Sequence, residues 1–361
     1  MDPLQFAYRA KRGVDDATLT LVDSLYRHLD TCGHAARVLM VDFSSAFNTI
    51  QPHLLVQKLL SMNVNPHIIL WVQDFLTGRS QRVCVGPVQS NTRIVDTGAP
   101  QGCVLSPVLF TLYTNDCRSN ESNCEIIKYA DDTAIIGHLT KQQSSLTSYT
   151  RCVDMFASWC CDNFLQLNIT KTKELLFDFS KRSEFTSVTP IKINNEAIET
   201  VHKYKYLGTI IDDKLNWVSN GKRIYAKAQQ RLYFLRKLND FHVDKVIMNL
   251  FYKSVVESVI AFCILAYHGN SNKREINNLS RIVKRASKLI KTPCMSLDEL
   301  FFKYCASKFS MIRNDEMHPL NRFYTTLKSG VRLKCLKSRT NRYMCSFVPT
   351  SIGTHNRLCT R

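Results

Sequence analysis

Tyr129-Ala130-Asp131-Asp132 sets two adjacent carboxylates behind an aromatic and a small residue. Short β-type runs flank it, Glu125-Ile126-Ile127-Lys128 before and Thr133-Ala134-Ile135-Ile136 after. The pattern predicts a tight β-hairpin with the acidic pair in or beside its turn. Asp is also a common turn residue, so the pair gains weight from a third carboxylate 89 residues upstream. That residue, Asp42, ends the apolar run Val38-Leu39-Met40-Val41 and precedes a turn at Ser44-Ser45-Ala46-Phe47-Asn48. A lone Asp at a buried strand end is costly unless it is paired, binds metal or caps the next helix.

Three carboxylates crowded within ~4 Å of one another will not all ionise without a counter-charge. Magnesium supplies one, taking one or two protein carboxylates per ion together with substrate phosphates. Two such ions, with Mn²⁺ as a substitute, suit an in-line displacement in which a 3′-oxygen attacks and pyrophosphate leaves. Between the acidic segments lies Gly98-Ala99-Pro100-Gln101-Gly102-Cys103, a loop whose backbone can approach a ligand closely. Ser106-Pro107 then opens a helix running through Tyr113.

With these segments in order, the chain resembles the reverse transcriptases, specifically those of non-LTR (LINE-type) retrotransposons. Asp42 to Phe47 resembles the family's motif A, Gly98 to Phe110 motif B, and Tyr129 to Asp132 motif C. Leu167 to Lys173 resembles motif D, and Tyr204-Lys205-Tyr206-Leu207-Gly208 the primer-grip motif E. Gln5-Phe6-Ala7-Tyr8-Arg9 with Asp15-Asp16-Ala17 is similar to the element that precedes motif A. The resemblance implies that Asp42, Asp131 and Asp132 hold the metals. It sets Phe43, Phe47, Pro100, Gln101, Gly102 and Tyr129 around the incoming nucleotide, with Phe47 as the steric gate that favours deoxynucleotides. It gives Lys171 or Lys173 the role of protonating pyrophosphate, and Tyr206, Leu207 and Gly208 that of positioning the primer end. The implied partners are an RNA template, a DNA primer and dNTPs. In the family, the basic fingers residues precede the Gln5 element, so the expectation is a 5′-truncated copy with a remnant of fingers. The alternative is an inactive, truncated retroelement remnant that at most binds nucleic acid.

The formal charge of +18 is segregated. Residues 1 to 220 hold 21 basic and 22 acidic side chains, whereas residues 221 to 361 hold 27 and 8. Such an excess implies a polyanionic partner and salt-sensitive binding. Ile224, Ala228, Leu232 and Leu235 form an apolar helical stripe beside the basic stripe Arg223, Lys227 and Arg231. Ile276, Leu279, Ile282, Val283, Ala286 and Ile290 form another, with Arg281, Lys284, Arg285, Lys288 and Lys291 on the opposite side. These cations are read as nucleic-acid-binding, tracking a duplex by shape and phosphates.

The longest strongly apolar run, Val259 to Tyr267, is too short to span a membrane, and no signal peptide is read. Fourteen cysteines without a Cys-x-x-Cys pair are read as reduced, in an intracellular protein of the nucleus or cytoplasm. The expected fold class is α+β: a polymerase palm, an antiparallel sheet with helices on one face, followed by a mostly helical basic thumb and tail. The expected divisions are 1–36 fingers remnant, 37–217 palm, 218–319 thumb and 320–361 a loosely packed basic tail. Helices are expected over 53–78, 106–116 and 141–166. Strands are expected near 174–179, 190–194 and 206–211, and residues 180–200 read as a loop and hairpin. Oligomeric state is not legible.

Overall fold

The computed structural model describes residues 1–361 except 181–184, 186–189, 329, 360 and 361. The first helices are α1 (Val14–Leu29), α2 (Pro52–Ser61), α3 (Pro66–Leu76), α4 (Leu105–Tyr113) and α5 (Gln143–Asp162). One five-stranded sheet is built from β1 (Ala35–Val41), β2 (Cys124–Tyr129), β3 (Asp132–Leu139), β4 (Lys173–Asp178) and β5 (Glu199–Thr200). Its order is β5-β4-β1-β3-β2. The strand at 37–42 therefore does lie beside the acidic hairpin. The sheet is mixed at its edge, where β4 and β5 pair in parallel with Lys173 opposite Glu199.

Two compact units interleave along the chain. One comprises Met1–Arg12, Arg37–Glu174 and Val188–Thr200; the other comprises Gly13–Ala36, Leu175–Ser187 and Val201–Arg361. The expected divisions run consecutively along the chain, whereas these units do not.

In the first unit the central strand β1 is buried along its whole length. An uninterrupted apolar run suits a strand covered on both faces. Arg37 breaks that run and is itself buried, so its charge needs a partner. The guanidinium donates to the Glu174 carboxylate on β4. Tyr149 of α5 donates its hydroxyl to the other oxygen of Glu174 at 2.8 Å. Tyr149 fits because Gly137 of β3 has no side chain: a Cβ there would lie 2.2 Å from the Tyr149 ring. The helix expected over 53–78 is two helices. Asn65 accepts a hydrogen bond from the His67 amide at 2.9 Å and Pro66 starts a new helix, so the first must end.

In the second unit α1 buries Leu21, Val22, Leu25 and Tyr26. The Trp217 indole donates to the Tyr26 hydroxyl at 2.8 Å. Asp16, in the first turn of α1, accepts from Lys308 at 3.0 Å and pairs with His318 at 3.2 Å. The helices α6 (Val218–Asp240) and Lys273–Ile290 pack on one another. They bury the expected stripes, Ile224, Ala228, Leu232 and Leu235 on one, Leu279, Ile282, Val283, Ala286 and Ile290 on the other. The helical stretch Lys245–Asn270 is long and apolar enough by composition to cross a membrane. It buries Met248, Tyr252, Val256 and Ile260 within this unit and is broken at left-handed Cys263, as a core helix would be.

The tail is not loosely packed. Tyr343 is buried, and the helix Phe347–Leu358 buries Phe347, Val348 and Ile352. The Asp30 carboxylate accepts from the Arg339 and Thr340 amides at 2.7 and 2.8 Å. The tail carries nine cations in residues 321–361, and the apolar residues spaced among them supply its buried face. The strand expected at 206–211 is instead a hairpin, Lys203–Tyr206 against Thr209–Asp212. A hairpin within 180–200 is present at Lys192–Ile193 and Glu196–Ala197; residues 181–184 and 186–189 of that stretch lie outside the described ones.

Glu174 holds a buried guanidinium, so its loss leaves an unpaired interior charge. Glu174→Ala should lower unfolding stability by about 3–5 kcal/mol in urea denaturation. Adding Arg37→Met should recover most of that loss. An equally unstable double variant would show that the carboxylate's packing matters more than its charge.

Candidate active site

Asp42 follows the last residue of β1. Its backbone is gripped by the segment that resembles motif D: Asn168 donates to the Asp42 carbonyl at 2.8 Å, and the Asp42 amide donates to Thr172 Oγ1 at 3.3 Å. The Oδ2 atom of Asp42 is shielded from water and accepts no hydrogen bond. The nearest cation to it is Lys171, with Nζ at 3.9 Å and a side chain that remains 70% exposed. Lys173 points elsewhere, bonding Glu199 at 2.6 Å and the Thr170 carbonyl. Of the two lysines, only Lys171 is brought to Asp42.

The acidic pair sits on a two-residue connection, with Tyr129 directly opposite Asp132 and only Ala130 and Asp131 between them. Ala130 has φ +57°, in the left-handed region that a non-glycine residue occupies at some cost. A small side chain limits that cost. Asp132 keeps much of its surface open, yet desolvation first, and then the charges of Asp131 and Asp42, push its carboxyl up to about 6. Asp132 therefore feels the charges of both other aspartates. Among the described residues no three His, Cys, Asp or Glu side chains lie close enough to hold an ion as they stand. The donor set is nonetheless all carboxylate oxygen, the chemistry of a hard divalent cation. The Asp42 oxygen without a hydrogen bond and the raised Asp132 are groups that such a cation would satisfy.

The Gly98–Gly102 loop docks backbone to backbone on the segment that follows Asp42. Gly98 N–H donates to the Ile50 carbonyl at 2.7 Å, and Ala99 N–H to the Phe47 carbonyl at 2.9 Å. Gly98 has φ +71°, and a Cβ on it would lie 2.8 Å from the Asn48 backbone, so no other residue fits. Phe43 pairs with Leu167, and left-handed Ser45 turns the chain into a short 3₁₀ segment. Phe47, on that segment, stacks its ring at a tilt on Phe110 of α4, centroids 4.9 Å apart. Gln101 donates to Asn48 at 3.2 Å, and the Pro100 carbonyl accepts from Ser106. Gly102 has φ +81°. A cleft of about 800 Å³ opens here, lined by Asn48, Arg79, Thr97, Gly98, Pro100 and Gln101.

Arg79 and Asn48 were not singled out from sequence. Arg79 donates to the carbonyls of Leu76, Thr97 and Gly98, which ties the loop to the end of α3. Its only sequence signal is a cation just after Gly78, and carbonyl acceptors have no signature at all.

The primer-grip residues belong to the second unit. Leu207 and Gly208 form its hairpin turn, both with positive φ, and Tyr206 is buried. Arg223 donates to the Gly208 carbonyl, and Arg231 to the Val255 carbonyl at 2.7 Å. These two guanidiniums are thus partly spent inside the fold. Lys227, Lys284, Arg285 and Lys288 are exposed. With Lys205 and Phe262, residues 208, 223, 227 and 231 line a groove of about 380 Å³.

The raised carboxyl makes stability depend on pH. Asp132 titrates near 6 in the fold against 3.8 ordinarily, so the folded chain binds the extra proton between those values. Stability should fall as pH rises through that window, with the full penalty above about 6. Exposure and screening keep the effect small. At pH 7.5 without divalent ions, Asp132→Asn should melt roughly 1–3 °C above wild type, and near pH 4 the gap should close. Mn²⁺ should raise the melting temperature of wild type more than that of the variant. A variant no more stable than wild type at pH 7.5 would mean that the aspartates do not strain one another.

A family model described as "Reverse transcriptase (RNA-dependent DNA polymerase)" matches residues 1–211. A second, "Alkylated DNA repair protein alkB homolog 8, N-terminal", matches the short stretch 217–258. The "RNA-directed DNA polymerase from mobile element jockey" of Drosophila funebris is 23% identical over 286 residues, 76% of this chain and 30% of that one. Its Drosophila melanogaster counterpart is 24% identical over 292 residues, with the same coverage. The "Probable RNA-directed DNA polymerase from transposon BS" of Drosophila melanogaster is 24% identical over 65% of this chain and 26% of that one. The chain thus spans under a third of the length of these curated relatives. Among solved structures, Candida tropicalis telomerase in complex with a TWJ fragment of telomeric RNA aligns at TM-score 0.43 and 11% identity, over 89% of this chain and 53% of that one. The apo form aligns at 0.40 and 13%, over 85% and 55%. With more than half of its residues matched by the one family model, and with the aspartates, loop and hairpin set as described, the chain belongs to the reverse transcriptase family.

Proposed function

We propose that this chain carries the RNA-directed DNA polymerase of a non-LTR retrotransposon, working inside the cell on an RNA template, a DNA primer and dNTPs. The observation that carries the reading is the electrostatic state of the aspartates. Asp42 keeps an oxygen without a hydrogen bond, and Asp132 is pushed up to about 6 by desolvation and its two neighbours. Such a site is built to receive positive charge. Asp42, Asp131 and Asp132 would hold two Mg²⁺ ions. When bound, these supply the counter-charge and Lewis acidity for displacement of pyrophosphate by a primer 3′-oxygen.

The chain's own residues do the rest. Lys171, beside Asp42, is placed to give a proton to the leaving pyrophosphate. The Phe47 ring, backed by Phe110, fills the space a 2′-hydroxyl would need. Gln101, held by Asn48, faces the cleft beside a loop whose backbone leaves no room for side chains at Gly98. The exposed cations Lys227, Lys284, Arg285 and Lys288 offer phosphate contacts to an RNA–DNA duplex. The fourteen thiols are unpaired, which supports a reducing, intracellular setting. One observation favours a second reading, a binding remnant without catalysis: no ready-made three-residue ion cage stands among the described residues.

Primer extension on poly(rA)·oligo(dT) with Mg²⁺ or Mn²⁺ decides between them. Wild type should extend, and Asp131→Asn with Asp132→Asn should lose ~10²–10³-fold or more of the rate while binding duplex as well or better. Phe47→Val should raise the ratio of rNTP to dNTP incorporation. A wild type that binds duplex but extends no primer with either metal would establish the remnant reading.

Binding is tested by substitution rather than deletion, because α1 packs with the C-terminal helices in one unit. Lys284→Ala, Arg285→Ala and Lys288→Ala together should flatten the slope of log K against log[salt] by about 3 on duplex DNA, near 0.9 per phosphate contact. An unchanged slope would remove this helix from the binding surface.

A further inference from the structure

Lys128 immediately precedes the acidic turn, yet it is only 2% exposed. An ammonium has three donors, and here all three are used. They go to the Thr114 carbonyl at 2.7 Å, the Cys117 carbonyl at 2.7 Å and the Asp2 carboxylate at 2.8 Å. The backbone of the same residue is held as well: Lys128 N–H donates to the Leu4 carbonyl and Phe6 N–H to the Lys128 carbonyl, each at 2.9 Å. Thr114 and Cys117 are the chain just past α4. Lys58 adds to the same grip, donating to the Tyr113 carbonyl at 2.8 Å and pairing with Asp116 at 2.7 Å. Cations suit this place, since a helix C-terminus presents unsatisfied carbonyls and partial negative charge.

We propose that Lys128 is a positioning residue that locks the Asp131–Asp132 hairpin to α4, and through α4 to the Gly98–Gly102 loop. A helix is a stiff connector, and α4 begins three residues after Gly102. Fixing its far end to β2 therefore sets the distance between the aspartates and the loop that docks on Phe47. Burying an ion pair is a poor way to gain stability, because well-packed apolar residues do as well. What the pair adds is geometry: three bonds in three directions from one atom. The consequence for catalysis rests on the polymerase reading; the tether itself does not.

The test uses the full chain and the double variant Lys128→Met with Asp2→Asn, which removes both buried charges together. It should melt within roughly 3 °C of wild type. Amide exchange should quicken ~10-fold or more in residues 98–104 and 129–133, and stay unchanged in β1. Mn²⁺ should bind more weakly, and kcat for primer extension should fall ~10²-fold with KM for dNTP little changed, as misplacement of reacting groups predicts. A lysine that is merely structural would leave metal binding and kcat at wild-type values in the folded variant, and that result overturns the proposal. Unchanged exchange in the two segments overturns it too. If wild type extends no primer, the polymerase reading fails, while the exchange measurement still decides the tether. Should the double variant not fold, Lys128→Arg serves: it keeps the charge but cannot aim donors in the same three directions. Normal exchange and normal kcat in Lys128→Arg would count equally against the proposal.

Discussion

The repulsion that Asp131 and Asp42 exert on Asp132 is what the first unit is organised to withstand. Desolvation and two like charges hold the Asp132 carboxyl well above its ordinary range, and one Asp42 oxygen has no hydrogen bond. Isolated peptide segments would splay apart and hydrate such groups. Here β1 and β3 are neighbours in one sheet, so the strand end and the hairpin turn cannot separate. The buried run of β1, with Arg37 neutralised by Glu174 and Glu174 held in turn by the Tyr149 hydroxyl, supplies the rigidity that the charges oppose.

Close backbone approach is the second device. Ser45, Ala130, Gly98 and Gly102 all lie at positive φ around the site. Each makes a tighter turn than right-handed backbone allows. At Gly98 the turn and the contact with Asn48 both forbid a side chain. Glycine takes such backbone freely, whereas Ser45 and Ala130 incur a cost that persists only where the surroundings over-determine it. Here the surroundings are hydrogen bonds to carbonyls, from Gly98 and Ala99 on one side and from Arg79 on the other.

The second unit divides its cations into two kinds. Arg223 and Arg231 donate to internal carbonyls and hold a hairpin turn and a helix in place. Lys284, Arg285 and Lys288 lie on the outer face of an amphipathic helix whose apolar side is buried. The two arginines of the first stripe thus work inward, while Lys227 and the second stripe face solvent. Charge counting treats them alike, since it registers the amount of charge and not its direction.

Residue type and spacing by themselves located the candidate site of this chain. Three carboxylates at a strand end and a turn, a Gly/Pro loop between them and an aromatic five residues after Asp42 were all legible, as were the buried stripes of α6 and Lys273–Ile290. Periodicity shows which face of an element is apolar, but not which element covers it. So the joining of α1 to the C-terminal helices, the packing of the tail and the break at Pro66 were decided elsewhere. The first two came from tertiary contacts; the third is local, set by Asn65-Pro66. The choice of Lys171 over Lys173, the anchoring role of Arg79 and the burial of Lys128 depended on the folded structure. Their partners are mostly carbonyl oxygens or residues distant in the chain, and a carbonyl is the same atom in every residue.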